Sequence, residues 1–150
     1  MTACLAALLL AAGNVLPADA MQALHSAPTV ELYSLEPWFD EGAKEPMWHG
    51  YVLLGHVTLS AGKAKTAVAA IDAAIQSGEG HKSACVEPRQ ALHVASGGHA
   101  FDFLLSYDCH SLEVYRDDRK LASLAAGGSP KVLDKLLSEA KVPLSKSASD

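Results

Sequence analysis

The sequence lacks the short motifs by which several enzyme classes are recognised. It has no Gly-x-Ser-x-Gly nucleophile elbow, no Cys-x-x-Cys redox pair and no glycine-rich phosphate loop. Its glycine pairs, Gly78-x-Gly80 and Gly97-Gly98, are typical of turns. Seven histidines are present, but scattered histidines are more often surface and loop residues than parts of a catalytic triad. We therefore assign no catalytic residue, expect no cofactor and favour a non-enzymatic role.

The chain also lacks a basic patch and, after its first 20 residues, any long apolar run. The formal net charge is −5, and charges of both signs are interspersed. A surface of this kind does not favour nucleic acid or an anionic membrane. A spanning helix needs about 20 consecutive apolar residues, so we expect no transmembrane span in the mature chain.

Residues 1–20 are typical of an export signal. They are apolar, include three consecutive leucines and end in Ala-Asp-Ala, which resembles a signal-peptidase site after Ala20. The basic residue that usually opens such a signal is missing. We predict a cleaved signal peptide over 1–20 and a periplasmic or secreted protein. The alternatives are a membrane anchor through a lipid on Cys4 and an ordinary buried helix.

Residues 21–150 are predicted to form one α+β domain with a loose tail from about residue 145. Apolar residues recur at helical spacing over 63–76 and 130–140, and a shorter helix is expected over 21–28. Short turns between consecutive strands indicate an antiparallel sheet of about five to six strands, with the two main helices packed on one face. The strands are predicted over 29–35, 50–59, 90–95, 100–107, 111–116 and 120–125.

Cys85 and Cys109 flank the hairpin that the turn at 96–98 predicts. If this loop has three residues, position i faces position 194 − i, so the two cysteines face each other. Cross-strand neighbours lie ~4.5–5.5 Å apart at Cα, which is within disulfide range. An oxidised pair also fits an exported protein, so we predict a disulfide. The weak alternative is a metal site with His81, whose spacing matches no standard ligand pair.

Several segments together have a pattern known from other proteins. They read Leu-Tyr-Ser-Leu at 32–35, Gly-Tyr-Val-Leu-Leu-Gly at 50–55, Cys-Val-Glu-Pro-Arg at 85–89, Tyr-Asp-Cys at 107–109 and Ala-Lys-Val-Pro-Leu at 140–144. In order and spacing, the chain resembles, over most of residues 29–144, a group of small exported bacterial proteins and lipoproteins whose function is not established. The resemblance implies export.

Two positions depart from that group. Its members tend to carry histidine after the Pro-Arg pair, where this chain has Gln90. They often show a Cys-x-x-Cys that ends at the position of Cys109, and here the first member is Ser106. A thiol-redox or metal role inferred from such relatives is therefore not carried over to this chain.

Two features are candidates for binding. Trp38, Phe39 and Trp48 crowd one acidic loop, and tryptophan is enriched in interface hot spots, although such loops also fold over sheet edges. Arg89 follows a proline beside the predicted disulfide. We expect it to form an ion pair with a neighbouring carboxylate such as Asp108, and anion binding is the alternative.

The leading hypothesis is an exported cell-envelope protein without enzymatic activity. It would bind an envelope protein or a cell-wall-associated partner through the loop from Trp38 to Trp48 or through an open sheet face. The alternative is a small periplasmic enzyme or metal-handling protein that uses histidines around a cleft near the cysteine hairpin. The histidines considered for that role are His49, His56, His93 and His110.

Overall fold

The computed structural model describes residues 13–38, 42, 44–79 and 84–146. Within these residues the chain forms three helices and seven strands. The helices are α1 (Ala18–Ser26), α2 (Ala61–Gln76) and α3 (Lys131–Glu139). The strands are β1 (Val30–Glu36), β2 (Met47–Trp48), β3 (Tyr51–Thr58), β4 (Gln90–Ser96), β5 (His99–Ser106), β6 (Ser111–Arg116) and β7 (Arg119–Ala125).

The strands form one antiparallel sheet in the order β2-β3-β1-β4-β5-β6-β7. The α+β class and the antiparallel sheet are as predicted, but the strand count is seven rather than five to six. The additional strand, β2, has only two residues, which is too short for alternation of apolar and polar residues to be recognised. Among the described residues, no helix has the length and apolarity that a membrane crossing requires.

The larger hydrophobic core joins all three helices to alternate residues of the strands. Such alternation places every second side chain of a strand on the same face of the sheet. Representative members are Leu24 of α1, Ile71 of α2, Leu137 of α3, Leu32 of β1 and Phe103 of β5. A second, smaller cluster of Leu35, Ala91 and Leu104 belongs to the intervening strand positions and contains no helical residue.

The β4–β5 hairpin corrects the predicted register by one residue. Ser96 pairs with His99, so the turn consists of Gly97 and Gly98 alone, and both glycines have positive φ. This is a two-residue turn whose backbone twist matches that of the strands. Position i therefore faces 195 − i, as Gln90 facing Leu105 shows.

The predicted pairing of Cys85 with Cys109 is nevertheless present. The structure joins them as a disulfide with their Cα atoms 5.5 Å apart. Both cysteines lie outside the β4–β5 ladder, Cys85 before β4 and Cys109 in the turn between β5 and β6. Their proximity therefore depends on the approach of two connections and not on the register from which it was predicted.

The C-terminal segment after α3 lies against the beginning of the sheet. Ser34 donates a hydrogen bond from Oγ to the Pro143 carbonyl at 2.6 Å, and the Lys146 amide donates to a Glu36 carboxylate oxygen at 2.9 Å. Gly55 has its φ at 158°, and a Cβ there would lie 3.1 Å from a methyl of Val142. The segment is thus held as far as residue 146, and residues 147–150 lie outside the described residues.

The residues before α1 are also bound to the core. The Asn14 side chain donates to the carbonyls of Ile75 and Ala125 and accepts from the Ala125 amide, at 2.7–3.1 Å. Leu16 and Ala20 are buried in the larger core. Residues 1–12, including Cys4, lie outside the described residues. The structure does not test signal cleavage, which stays a prediction.

Candidate functional site

A row of mostly polar side chains crosses five strands on the sheet face that carries the smaller cluster. Cross-strand pairing aligns Thr58 of β3 with Glu31 of β1, then His93 of β4, Asp102 of β5 and Tyr115 of β6. Directly paired residues of antiparallel strands point to the same face at about 5 Å separation. The sheet register alone therefore brings one histidine between two carboxylates.

Asp102 is the centre of this row. Its side chain is only 4% exposed, and each of its oxygens is paired with a different imidazole. His93 Nδ1 lies 2.5 Å from Oδ1, and His49 Nε2 lies 2.7 Å from Oδ2. An ionised carboxylate only accepts hydrogen bonds, so both ring nitrogens donate. A buried charge is tolerated when it is paired in this way.

The network continues from His93 towards solvent. His93 Nε2 lies 3.9 Å from one oxygen of Glu31, and the other oxygen of Glu31 lies 3.4 Å from His56 Nδ1. We refer to Glu31, His49, His56, His93 and Asp102 as the histidine–carboxylate cluster. The side chains become progressively more exposed from Asp102 through His93 to His56.

The electrostatics of the cluster favour ion pairs. Burial by itself would raise the pKa of the Asp102 carboxyl, but the hydrogen bonds from His49 and His93 outweigh it, and the pKa is lowered. The hydrogen bond to Asp102 raises the pKa of His93, although burial opposes this change. The folded state therefore favours an ionised Asp102 next to a protonated His93.

His49 reaches Asp102 from a different part of the chain, because the β2–β3 hairpin folds towards this face. Trp48 pairs with Tyr51, so His49 and Gly50 form a two-residue turn, with φ of 50° and 82°. Both central residues of this turn type need positive φ, for which asparagine, aspartate and glycine are preferred. A histidine at the first position carries a conformational cost that its bond to Asp102 offsets.

Aromatic rings pack around the imidazoles. The Tyr33 ring centroid lies 4.5 Å from that of Trp48 and 4.9 Å from that of His56. The ring of Tyr115 lies 4.3 Å from that of His49. Burial raises the pKa of Tyr33 to about 12, with the nearby Glu31 adding to the effect. These contacts hold the histidine rings in place and keep the tyrosine neutral.

A second buried carboxylate lies in the neighbouring row. Glu113 accepts hydrogen bonds from the Tyr115 hydroxyl and from the Lys120 ammonium. Burial raises the pKa of Tyr115, and its bond to Glu113 acts in the same direction. Glu113 is thus fully paired and fixes the rim of the cluster on the β6–β7 side.

The predicted ion pair of Arg89 is present. Its Nη2 lies 3.2 Å from Asp108, as expected, and its Nη1 donates to the Ser145 hydroxyl and the Lys146 carbonyl. Arg89 Nε is buried and has no hydrogen-bond partner among the described residues. The residue thus joins the cysteine region to the C-terminal segment.

The other candidates are distributed over different places. Trp38 is 50% exposed, whereas Trp48 packs on the ring of Tyr33. Phe39 and His81 lie outside the described residues. Three of the four histidines considered for chemistry (His49, His56 and His93) belong to the cluster. His110 lies in the turn after β5 and is exposed.

Three exposed apolar residues lie in segments next to Glu36, at the end of β1. Trp38 donates its amide to Glu36, and Met47 pairs with Val52, which is itself the cross-strand partner of Glu36. Leu144 precedes the two residues that bond to the same glutamate. We call Trp38, Met47 and Leu144 the Trp38 patch; each is more than 40% exposed.

Asp102, Glu31 and Glu113 were missed at the level of sequence. A sequence signal existed for Asp102, because a two-residue turn at Gly97-Gly98 places it directly opposite His93. With a three-residue turn, His93 faces Phe101 instead and the pair disappears. The contact between His49 and Asp102 joins residues 53 positions apart and had no local signal.

No protein-family model matches the chain, and no significant match was found among curated proteins or solved structures. The site has to be interpreted from its own chemistry. No serine, threonine or cysteine of the described residues is hydrogen-bonded to His49 or His93, and both oxygens of Asp102 are occupied. Within the described part of the chain, the arrangement thus consists of two carboxylate–imidazole pairs without a paired side-chain nucleophile.

Proposed function

We propose that this is an exported cell-envelope protein that binds an envelope protein or a cell-wall-associated partner through the Trp38 patch and the adjoining open face of the sheet. The observation that carries the proposal is the Trp38 patch itself. Trp38, Met47 and Leu144 come from three separate chain segments next to Glu36: the amides of Trp38 and Lys146 donate to its carboxylate, and Met47 pairs with its cross-strand partner Val52. Exposed apolar side chains that gather in this way, next to charged residues, are typical of protein-binding surfaces.

The division of the sheet supports this proposal. We infer that the helices pack on one face, because all three contribute to the larger core and none contributes to the smaller cluster. The other face contacts no helix through the smaller cluster of described residues and bears half-buried aromatic rings over paired polar groups. A surface fixed in this way loses little conformational entropy when a partner binds.

The location rests on the chain's export-like N-terminus and on its resemblance to exported proteins. The disulfide between Cys85 and Cys109 agrees with an oxidising compartment. Cytosolic thiols are kept reduced, so a structural disulfide is more typical of the periplasm or the cell exterior.

Photo-cross-linking tests the binding proposal. A photoreactive phenylalanine analogue replaces Trp38 or Met47 in the exported protein, and Val132 of α3 serves as the matched control, since it is 44% exposed and Met47 is 47% exposed. We expect one cross-linked envelope component from the two patch positions and none from Val132. Equal products from all three positions, or none from the patch, would contradict the proposed surface.

A further inference from the structure

We propose that His49, Asp102 and Asp118 form a binding site for a divalent transition-metal ion, with Zn²⁺ as its expected occupant. The ligand atoms of these three residues all lie within 4.8 Å of one another. This inference does not rest on the Trp38 patch, because it uses none of the three patch residues and a different ligand.

The separations are close to those of a zinc site. His49 Nε2 lies 2.7 Å from Asp102 Oδ2 and 4.0 Å from Asp118 Oδ1. Zinc binds nitrogen and oxygen at ~2.0–2.2 Å, so ligands in a tetrahedral site lie ~3.4 Å apart. To reach this geometry, the distance from His49 to Asp102 must lengthen by ~0.7 Å and the distance from His49 to Asp118 must shorten by ~0.6 Å. Changes of this size are within the reach of side-chain rotation. For His49 Nε2 to bind the ion, its proton must move to Nδ1 or to solvent, so the hydrogen bond to Asp102 is exchanged for the ion.

Two tight turns and a buried strand supply the ligands. His49 lies in the β2–β3 turn, and Asp118 lies in the β6–β7 turn, where Asp117 and Asp118 both have positive φ and Arg116 pairs with Arg119. Both turns have only two residues, so the ligands lie directly next to paired strand residues. The site thus needs no ordering of a long loop when the ion binds.

The surroundings resemble the supporting shell of a metal site. His93 donates from Nδ1 to the other oxygen of Asp102, and ligand carboxylates in metal sites are commonly held in this way. Tyr115 packs on the His49 ring. Asp118 is 92% exposed, so the ion would keep an open side for water or a fourth ligand.

The ligand types indicate the class of ion. One imidazole nitrogen with two carboxylate oxygens suits zinc and related transition ions, whereas calcium and magnesium favour six or more oxygen ligands. The two carboxylates among the three ligands favour a cation at this position. The other metal-like group, Cys85, Glu87 and Cys109, has its thiols joined in the disulfide, and so it lacks the thiolates that a metal requires.

Calorimetric titration of the full chain with Zn²⁺, under non-reducing conditions, tests the proposal. We expect one saturable ion per chain and at least ~10-fold weaker binding for Asp118→Asn, since loss of a ligand costs no less than loss of a supporting residue. Asp118 is a highly exposed turn residue, so this variant keeps the fold. The matched control is Asp72→Asn, because Asp72 lies 3.1 Å from His25 without a third ligand among the described residues.

Co²⁺ absorption gives a second readout. We expect visible bands of tetrahedral cobalt in the wild type and in Asp72→Asn, their loss in Asp118→Asn, and their return in Asp118→His. Equal Zn²⁺ affinity for wild type and Asp118→Asn would overturn the site, as would equal losses in the two Asn variants. Displacement of Zn²⁺ by equimolar Ca²⁺ would overturn the assignment to a transition metal.

Discussion

Asp102 is the residue on which the histidine–carboxylate cluster depends. Its carboxylate accepts from His49 and His93 while almost fully buried. Replacement by asparagine removes the charge and presents an amide NH₂ to one of the two imidazoles. Since breaking one partner of a buried charged network leaves the others unpaired, we expect Asp102→Asn to lower the free energy of unfolding by about 2–4 kcal/mol in urea denaturation.

The control for this prediction is Asp118→Asn in metal-free buffer. Asp118 is an exposed carboxylate next to the same cluster, and exposed substitutions usually change stability by less than about 0.5 kcal/mol. If both variants unfold at the same urea concentration as the wild type, the paired Asp102 contributes nothing to stability and the proposed role of the cluster in fixing the open face is wrong.

The carboxyl of Asp134 in α3 predicts that the stability of the fold falls as this group ionises with rising pH. Burial raises the pKa of its carboxyl, although Gln90 donates to it at 2.6 Å and Arg89 lies near. An acid whose pKa is raised on folding stabilises the protein below its unfolded pKa, about 3.9, and this contribution is lost as the pH rises through the folded pKa. Ionised Asp134 therefore destabilises the fold at neutral pH.

The substitution Asp134→Asn tests this sign. Asparagine keeps an oxygen that can accept a hydrogen bond from Gln90 but carries no charge. We therefore expect the Asp134→Asn protein to have a higher melting temperature than the wild type at pH 7. The difference should shrink towards pH 3.5, where the wild-type carboxyl is largely protonated. A variant that melts below the wild type at pH 7 would show that the charge of Asp134 is stabilising, in contradiction to the raised pKa.

At the scale of elements, the strands that follow α2 were predicted to within about one residue, because apolar and polar residues alternate between clear turn signals. Prediction failed at the turn length. Gly97-Gly98 supports a two-residue turn, and Ser96 belongs to β4 instead of the loop. This shift by one residue hid the pair of His93 and Asp102, since a one-residue slip moves side chains to the opposite face.

The β2–β3 hairpin shows what local pattern cannot provide. The strand that was expected over 50–59 is present as β3, but its two-residue partner, β2, has no periodicity of its own. The turn between them brings His49 to Asp102, and the neighbouring Trp48 packs against Tyr33. Contacts across such distances follow from tertiary packing rather than from local propensity.

The disulfide is an element-scale staple between two connections. It closes a loop with a sequence separation of 24, and a cross-link of this length stabilises a fold by about 3 kcal/mol through the entropy of the unfolded chain. We expect the paired substitution of Cys85 and Cys109 by serine to lower the free energy of unfolding by about that amount. Chemical denaturation without reductant measures the difference.

Cys4→Ser provides the matched control, since it removes a thiol from the predicted leader and leaves the disulfide intact. Addition of reductant should bring the wild type and Cys4→Ser down to the stability of the double serine variant. Unchanged stability of the double variant would mean that Cys85 and Cys109 are not bonded in the purified protein.

At the scale of the whole molecule, the order of periodic segments and turns predicted the α+β class correctly, and the leader predicted over residues 1–20 stays a prediction. The apolar, alanine-rich pattern of residues 1–20 predicts a leader, and the last residues of this stretch also contact the rest of the fold. Residues from Asn14 onward make specific contacts: Asn14 bonds to α2 and β7, and Leu16 and Ala20 are buried in the larger core. Small apolar residues suit both a signal peptide and a tightly packed helix, so their pattern cannot separate the two.

Two truncated chains test what the segment contributes. A chain that begins at Met21 lacks the burial of Leu16, worth about 2 kcal/mol, and the hydrogen bonds of Asn14, worth about 1 kcal/mol each. It also shortens α1, whose Ala20 has no exposed surface. We therefore expect the chain 21–150 to be less stable than the chain 14–150 by about 3–5 kcal/mol in urea denaturation.

The matched comparison is between the chain 14–150 and the full chain, which should unfold alike if residues 1–13 add no stabilising contact. Equal stability of 21–150 and 14–150 would show that the contacts of residues 14–20 are dispensable, and a signal cleaved after Ala20 would then cost the fold nothing. With the expected loss, a mature protein cut at that site would forfeit part of its own core. Intact mass of the exported protein then decides between a terminus at Met21, which the leader pattern predicts, and one at or before Asn14.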